Sequence, residues 1–382
     1  MKDSFCALIA GMVLFCGSAN SRAQTWVATS APSLGWHGIA CSADGSKVVA
    51  VPNSGKIHFS TNGGATWAPS DSPSLHWIAV TATADGNKFA AAPDNGPICT
   101  STNGGMTWDT NALSTYIFGP FNTWNLVSAS ADGNLLLVSG GNPPMFISTN
   151  WGLSWTTNTG PNDLLEWVAS SADGSKLVGA CSFGYVYTSV DSGMSWSPTT
   201  LPYGEWNAAA SSSDGSKLVA VDGLGALYTS TNSGTNWSGG VMGDNWLYVA
   251  SSTNGANLVV GTAGGPTYIS TNAGLSWLST FYPGAYRAAS SADGSRRFLA
   301  QFSGQIYTLQ PSPPLRLDHS GGNVVLSVPN YILSEYALQQ NPGLCATNWT
   351  AVTGTPIDTN GWFQFVLTLS GSNRFFRLKR YQ

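Results

Sequence analysis

The chain has 382 residues, a formal net charge of -4 and only 9% charged side chains, far below the roughly 25% of an average globular protein. So few lysines and arginines leave no basic stripe to neutralise phosphates, which excludes nucleic acid as a partner. Glycine (44 residues) and tryptophan (16 residues) are abundant, alongside Ser, Thr and Asn, a mixture suited to turn-rich β structure.

Residues 1–23 combine an early lysine, Lys2, with an apolar run from Phe5 to Phe15 and a small-residue stretch ending Ser21-Arg22-Ala23. This is the layout of a signal peptide cleaved near Ala23. The mature protein is therefore expected to be secreted, whether extracellular, periplasmic or on the cell surface. Phe15 stands where a lipoprotein would need a small residue before Cys16, which argues against lipidation. No later stretch approaches ~18 consecutive apolar residues, so no transmembrane segment is expected. Cys41, Cys99, Cys181 and Cys345 remain after cleavage. Their scatter outlines neither a zinc site nor a disulfide framework, and they read as buried small hydrophobes with their pairing left open.

Residues 24–310 are built from a repeat of close to 41 residues. An SADG-like tetrapeptide occurs seven times, at Ser42–Gly45, Thr83–Gly86, Ser130–Gly133, Ser171–Gly174, Ser212–Gly215, Ser252–Gly255 and Ser291–Gly294. A second pattern, STNGGATW and its variants, occurs six times and ends at Trp67, Trp108, Trp155, Trp196, Trp237 and Trp277. Asp-Gly and Asn-Gly between short apolar runs are hairpin signals, because their turns need positive φ. Each unit reads as four short strands, the size of one propeller blade, and none carries a 3.6-residue apolar period.

The ends of the repeat region fit one another. TWVATSAPSLGW from Thr25 to Trp36 aligns with TWAPSDSPSLHW from Thr66 to Trp77, so the mature chain opens on a fourth strand. The stretch Tyr286 to Leu309 supplies three strands and then breaks the pattern. Pairing Trp26 with the strand near Ile306 and Tyr307 closes a ring of seven blades and leaves no free sheet edge. The expected fold is all-β, a seven-bladed β-propeller sealed by its two ends, and a monomer. A linker, residues 311–314, leads to a small β-rich C-terminal module, 315–382, of sandwich type, with attachment and structural capping both open as its role.

The six STN-type segments resemble the Asp-box of bacterial neuraminidase repeats. The whole unit looks most like the BNR-type, YVTN-like and photosystem II stability factor-like propellers of secreted bacterial proteins. The resemblance implies a structural box at Asn62, Asn103, Asn150, Asp191, Asn232 and Asn272, whose side-chain oxygen binds turn N–H groups while the Trp packs between blades. Asn replaces Asp in all but Asp191. Fold resemblance carries no activity with it.

Strand order puts the SADG and STN turns on one face and the variable loops on the other, where function is expected. The long link from Asp109 to Thr123 and the carboxylates Asp71, Asp94, Asp163, Asp222 and Asp244 belong to the variable set. Aromatics open the inner strands at Trp36, Trp77, Trp124, Trp167, Trp206, Trp246 and Tyr286. Two readings stand open for them: a platform that stacks on sugar rings, or packing between blades. Glu166 and Glu205, each just before such a Trp, form the one candidate catalytic pair, in the manner of glycosidases. A sialidase needs three converging arginines, and the propeller has only Arg287, Arg296 and Arg297, the last two beside an SADG turn. His37, His76 and His319 read as too dispersed for a metal site or triad, and His58 as a strand residue. Without a Gly-rich phosphate loop, no cofactor is expected, and no metal. The leading expectation is a non-enzymatic binding or scaffold propeller that recognises a glycan or a protein partner; the alternative is a glycoside hydrolase.

Overall fold

A computed structural model describes residues 25–114, 123–140, 145–158, 160–161, 165–239, 245–262, 265–280, 285–302 and 304–310, together with short strands from both ends of the chain. Two compact units result: Trp26–Leu309, and Met1–Thr25 with Gln310–Gln382.

The larger unit is a seven-bladed propeller, each blade an antiparallel four-stranded sheet. Blade I comprises Trp36–Cys41, Val48–Pro52, His58–Ser60 and Ala68–Pro69. Blades II to VI begin at Trp77, Trp124, Leu165, Trp206 and Trp246. Blade VII joins Ala285–Ser290, Arg297–Gln301 and Ile306–Gln310 to Thr25–Ala28 from the other end of the sequence, in that order. The Thr29 amide extends that seam by donating to the Ile306 carbonyl at 2.8 Å.

Second strands such as Val48–Pro52 are buried along their whole length because both faces of a blade are covered, so their residues read as continuous apolar runs. Alternation then decides which neighbour is met: Val48 and Ala50 pack toward Phe298 and Ile306 of blade VII, while Val49 and Val51 pack toward Phe89 and Ala91 of blade II. The Trp that precedes or opens each fourth strand joins the cluster between its own blade and the one before, as Trp67 does with blade VII and Trp108 with blade I. The core is thus a ring of inter-blade clusters. Cys99 and Cys181 lie in it, fully buried, and burial pushes the Cys99 thiol up to about 12. Cys345 lies outside the described residues.

Each SADG turn is built from its own side chains. Ser42 donates to the Asp44 carboxylate at 2.5 Å, Asp44 accepts the Ser46 amide at 2.9 Å, and Gly45 takes φ +65°. The turns also link blade to blade. Backbone N–H groups of Ala43, Ala84, Asp132, Ala172, Ser213, Thr253 and Ala292 donate to the turn of the next blade at 2.7 to 3.3 Å, and the last of these reaches Ala43. The circle of bonds is closed, which covers backbone groups that would otherwise be orphaned at the rim.

The smaller unit contains two antiparallel sheets. One has four strands, Arg316–Ser320, Asn323–Pro329, Trp362–Thr368 and Ile357–Thr359. The other has five, with Phe375–Arg380 between Tyr336–Asn341 and Cys6–Leu8, and Phe15–Cys16 at its edge. Cys6–Leu8 and Phe15–Cys16 belong to the stretch that reads as a signal peptide. No helix among the described residues is long and apolar enough to cross a membrane.

Candidate functional site: the variable face and channel mouth

The two families of repeated turn share one face. Within a blade the STN turn bonds to the SADG turn, as in Gly63 to Ser46 at 2.7 Å and Ser233 to Ser216 at 2.8 Å. In the STN turn at Trp67, Asn62 Oδ1 accepts the Thr66 amide at 2.9 Å, its Nδ2 donates to the Thr66 hydroxyl at 2.8 Å, and Ser60 Oγ accepts the Gly64 amide at 2.9 Å. Asn103, Asn150 and Asn272 repeat both bonds, and Asn232 accepts the Asn236 amide. Asp191 reaches the same geometry with reversed polarity, its second oxygen accepting from the Ser195 hydroxyl at 2.5 Å.

The opposite face consists of the second-to-third-strand loops and the links between blades, and here the Trp residues find their role. Trp36, Trp77, Trp124, Trp206 and Trp246 are fully buried. The indole N–H groups of Trp77, Trp124 and Trp246 donate to Gly55, Gly96 and Gly225 of the preceding blade at 2.9 to 3.0 Å. A ring enclosed in this way has no face to offer a sugar, so these five pin adjacent blades.

Trp167 and Tyr286 do not share that place. In blade IV it is Leu165 that pairs with Cys181 before the strand bulge, and in blade VII it is Ala285 that pairs with Gln301, as Trp36 pairs with Pro52. Trp167 therefore stands one step past the bulge, level with Gly38 and Arg287, and Tyr286 is level with His37. The alignment on aromatics slipped because a Leu and an Ala fill the buried site in these two blades.

This register also separates the two glutamates. Glu166 lies inside the strand Leu165–Ser170, whereas Glu205 precedes Trp206–Ser211. Its carbonyl accepts the Gly223 amide at 2.7 Å. They occupy different places in their blades, and no hydrogen bond joins them among the described residues. Asp222 is tied up in its loop, accepting the Leu224 and Ala226 amides, and Asp71 accepts the Trp108 amide at 3.0 Å. Asp163 and Asp244, and most of the long link after Ser114, lie outside the described residues.

The first strands line a central channel with a cavity of about 250 Å³. At its mouth the slipped register assembles a polar and aromatic cluster. The Arg287 guanidinium lies 4.1 Å from the Tyr286 ring centre and 5.2 Å from that of Trp167, and donates to the Tyr286 carbonyl at 3.0 Å. Burial lowers its pKa, and the Tyr286 side chain and then the Glu166 charge oppose that shift. His37 packs on Phe302 at 5.2 Å and approaches His76 and Tyr286, each at 5.4 Å. Burial holds the His37 pKa below its usual value, helped by His76 and Arg287. His76 in turn is 3.6 Å from the Asp94 carboxylate. His37 and His76, dispersed in sequence, are thus neighbours in space because they sit on adjacent blades. Among the described residues no group of three or more His, Cys, Asp and Glu could hold a metal ion.

Two arginines are committed elsewhere. Arg296 donates to Gly45 across the blade VII–I boundary at 3.2 Å on the repeated-turn face, and Arg297 is buried. The three do not converge.

Further out on the variable face, blades IV and V expose Phe183 (70%), Tyr203 (61%) and Leu224 (75%). Tyr185 contacts Tyr203 edge to face at 5.5 Å. None of these was singled out by the repeat, since each is an unrepeated residue in a variable segment. The only sequence signal for them is that lack of repetition.

These features define a seven-bladed β-propeller with one repeated, hydrogen-bonded face and one variable face. Its fold is similar to YCF48 from Cyanidioschyzon merolae, with TM-score 0.59 and 17% identity over 75% of this chain and 98% of that one. It is similar also to a structure of YCF48 bound to D1 peptide, with TM-score 0.59 and 15% identity over 76% of this chain and 97% of that one. At such identities the likeness supports the photosystem II stability factor-like part of the sequence resemblance as a matter of fold. No family model matches the sequence, and no curated protein is similar to it.

Proposed function

We propose that this protein is a non-enzymatic scaffold that binds a protein partner through the variable face of its propeller. The observation that carries this reading is the exposed set Phe183, Tyr185, Tyr203 and Leu224, gathered on two neighbouring blades where the rigid ring leaves its loops unrepeated. Exposed aromatics such as the paired Tyr185 and Tyr203 are what a partner polypeptide buries, and Tyr is enriched where binding energy concentrates. A propeller of this fold has been seen with a peptide, YCF48 with D1 peptide, which supports the same use here. A glycan is the weaker fit, because five of the seven candidate stacking rings are enclosed between blades. The signal-like N-terminus supports an exported setting, which N-terminal sequencing of the mature protein checks.

A photo-crosslinking residue placed at Tyr203 in the native host is expected to capture a discrete polypeptide, lost in the Phe183→Ser variant. The same residue at Leu275, 87% exposed on the repeated-turn face, serves as the control. Equal capture from both faces, or polysaccharide hydrolysis abolished by Glu166→Gln, would sink the reading.

A further inference from the structure

The central channel holds a charge that the ring itself does not neutralise. Arg287 occupies the place that Gly38, Ala79, Leu126 and Ala208 take in other blades, so nothing in the repeat calls for a cation there. Its guanidinium borders the channel cavity, donates to the Tyr286 carbonyl and is favoured by the Tyr286 side chain. Among the described residues no carboxylate lies within ion-pair distance of it; Glu166 acts only through the field. Trp167 and Tyr286 flank it and restrict its motion. A half-buried guanidinium is costly to keep without an anion and, held in place, is suited to bidentate pairing with a planar carboxylate.

The rest of the cavity fits an organic rather than an inorganic anion. Its wall is about as polar as apolar, with Val80 and Ile78 beside Thr81, Asn125 and Ser128, which suits a small molecule that has one charged end and a carbon body. At about 250 Å³ it admits a small molecule and no more.

We infer that the channel is a binding site for a small organic carboxylate, with Arg287 as the anion-pairing residue and the inner strands as a sleeve of mixed polarity. The site does not depend on the partner-binding face of blades IV and V. Glu166, whose charge acts on Arg287, weakens binding by repelling the ligand.

Benzoate, with neutral benzamide as its isostere, tests this by titration calorimetry on the full chain at low salt. Benzoate is expected to bind at least about tenfold tighter than benzamide, the scale of a charge-assisted pair. Arg287→Gln should abolish that preference, Arg287→Lys should recover part of it, and Glu166→Gln should strengthen benzoate binding. Equal binding of the two probes to the wild type, binding of neither, or a benzoate preference that survives Arg287→Gln overturns the site. Should Arg287→Gln fail to fold, the wild-type comparison and the Glu166→Gln variant decide: a preference that Glu166→Gln does not increase counts against it.

Discussion

Four of the six STN turns hold a side chain in the left-handed backbone region: Trp151, Ser192, Ser233 and Ala273, at φ between 57° and 59°. In the other two the same place is Gly63 or Gly104. An L-residue there costs roughly 1–2 kcal/mol of backbone strain, while glycine returns part of that gain as unfolded-chain entropy. Ala273→Gly is accordingly expected to raise the unfolding free energy by about 0.5–1 kcal/mol, measured by urea denaturation. The adjacent Gly274, at φ +86°, sets the opposite case. A Cβ there would meet the Thr229 methyl at 3.0 Å, so Gly274→Ala should destabilise by about 1 kcal/mol or more. A loss of stability in Ala273→Gly, or no loss in Gly274→Ala, would show that the turn does not impose this conformation.

The turns as elements carry a second consequence, in acid. Asp44 and Asp173 are held down to about 2, first by the serine hydroxyl two residues earlier and then by the amide two residues later. Asp85, Asp214 and Asp293 are lowered by the same contacts, and Asp132 is also lowered. A carboxylate with a depressed folded pKa stabilises the native state fully above its unfolded value, near 3.8, and loses that contribution as pH falls through the folded value. His37 and His58, both lowered by burial, add a loss of the same sign beginning below their usual 6.5. Melting temperature should therefore decline in two stages on acidification, the second between about pH 4 and 2. Replacing the six aspartates by asparagine should flatten that second stage. These turns were legible in the sequence because the side-chain bonds that shape each one are local, between residues at most five apart. The register of the inner strands was not, because it depends on a bulge and on which residue of a strand is enclosed by the next blade. Leu165 and Ala285 satisfy that enclosure without being aromatic, and nothing local marks them. The approach of His37 to His76, and the surroundings of Arg287, arise from the same cause: both are set by other blades that lie one or more repeats away along the chain.

At the scale of the molecule, stability rests on joining the two ends. Trp26 is buried in the cluster between blades VI and VII, and its indole N–H donates to the Thr280 hydroxyl at 3.0 Å within that boundary. Trp67 also packs against blade VII, but Trp26 lies on the strand that completes blade VII from the other end of the propeller. An open solenoid tolerates loss at one terminus, since each unit contacts only its neighbours. A ring cannot, because releasing one strand both uncovers the edge Ile306–Gln310 and removes the contacts that hold blade VI to blade VII. Trp26→Ala is expected to cost about 3–5 kcal/mol, the range for truncating a buried Trp. Trp237→Ala, in blade V where the ring is continuous and the indole only half-buried, should cost less. The uncovered edge should also make the Trp26→Ala protein associate with concentration, visible by light scattering, whereas Trp237→Ala stays as the wild type does. Hydrogen exchange locates the event: protection should fall first in Ile306–Gln310 and Arg297–Gln301, then in the first strand of blade I. Uniform loss across all blades, or an unchanged edge with full protection at Ile306, would mean that the ring is held by its inner hydrogen-bonded circle alone.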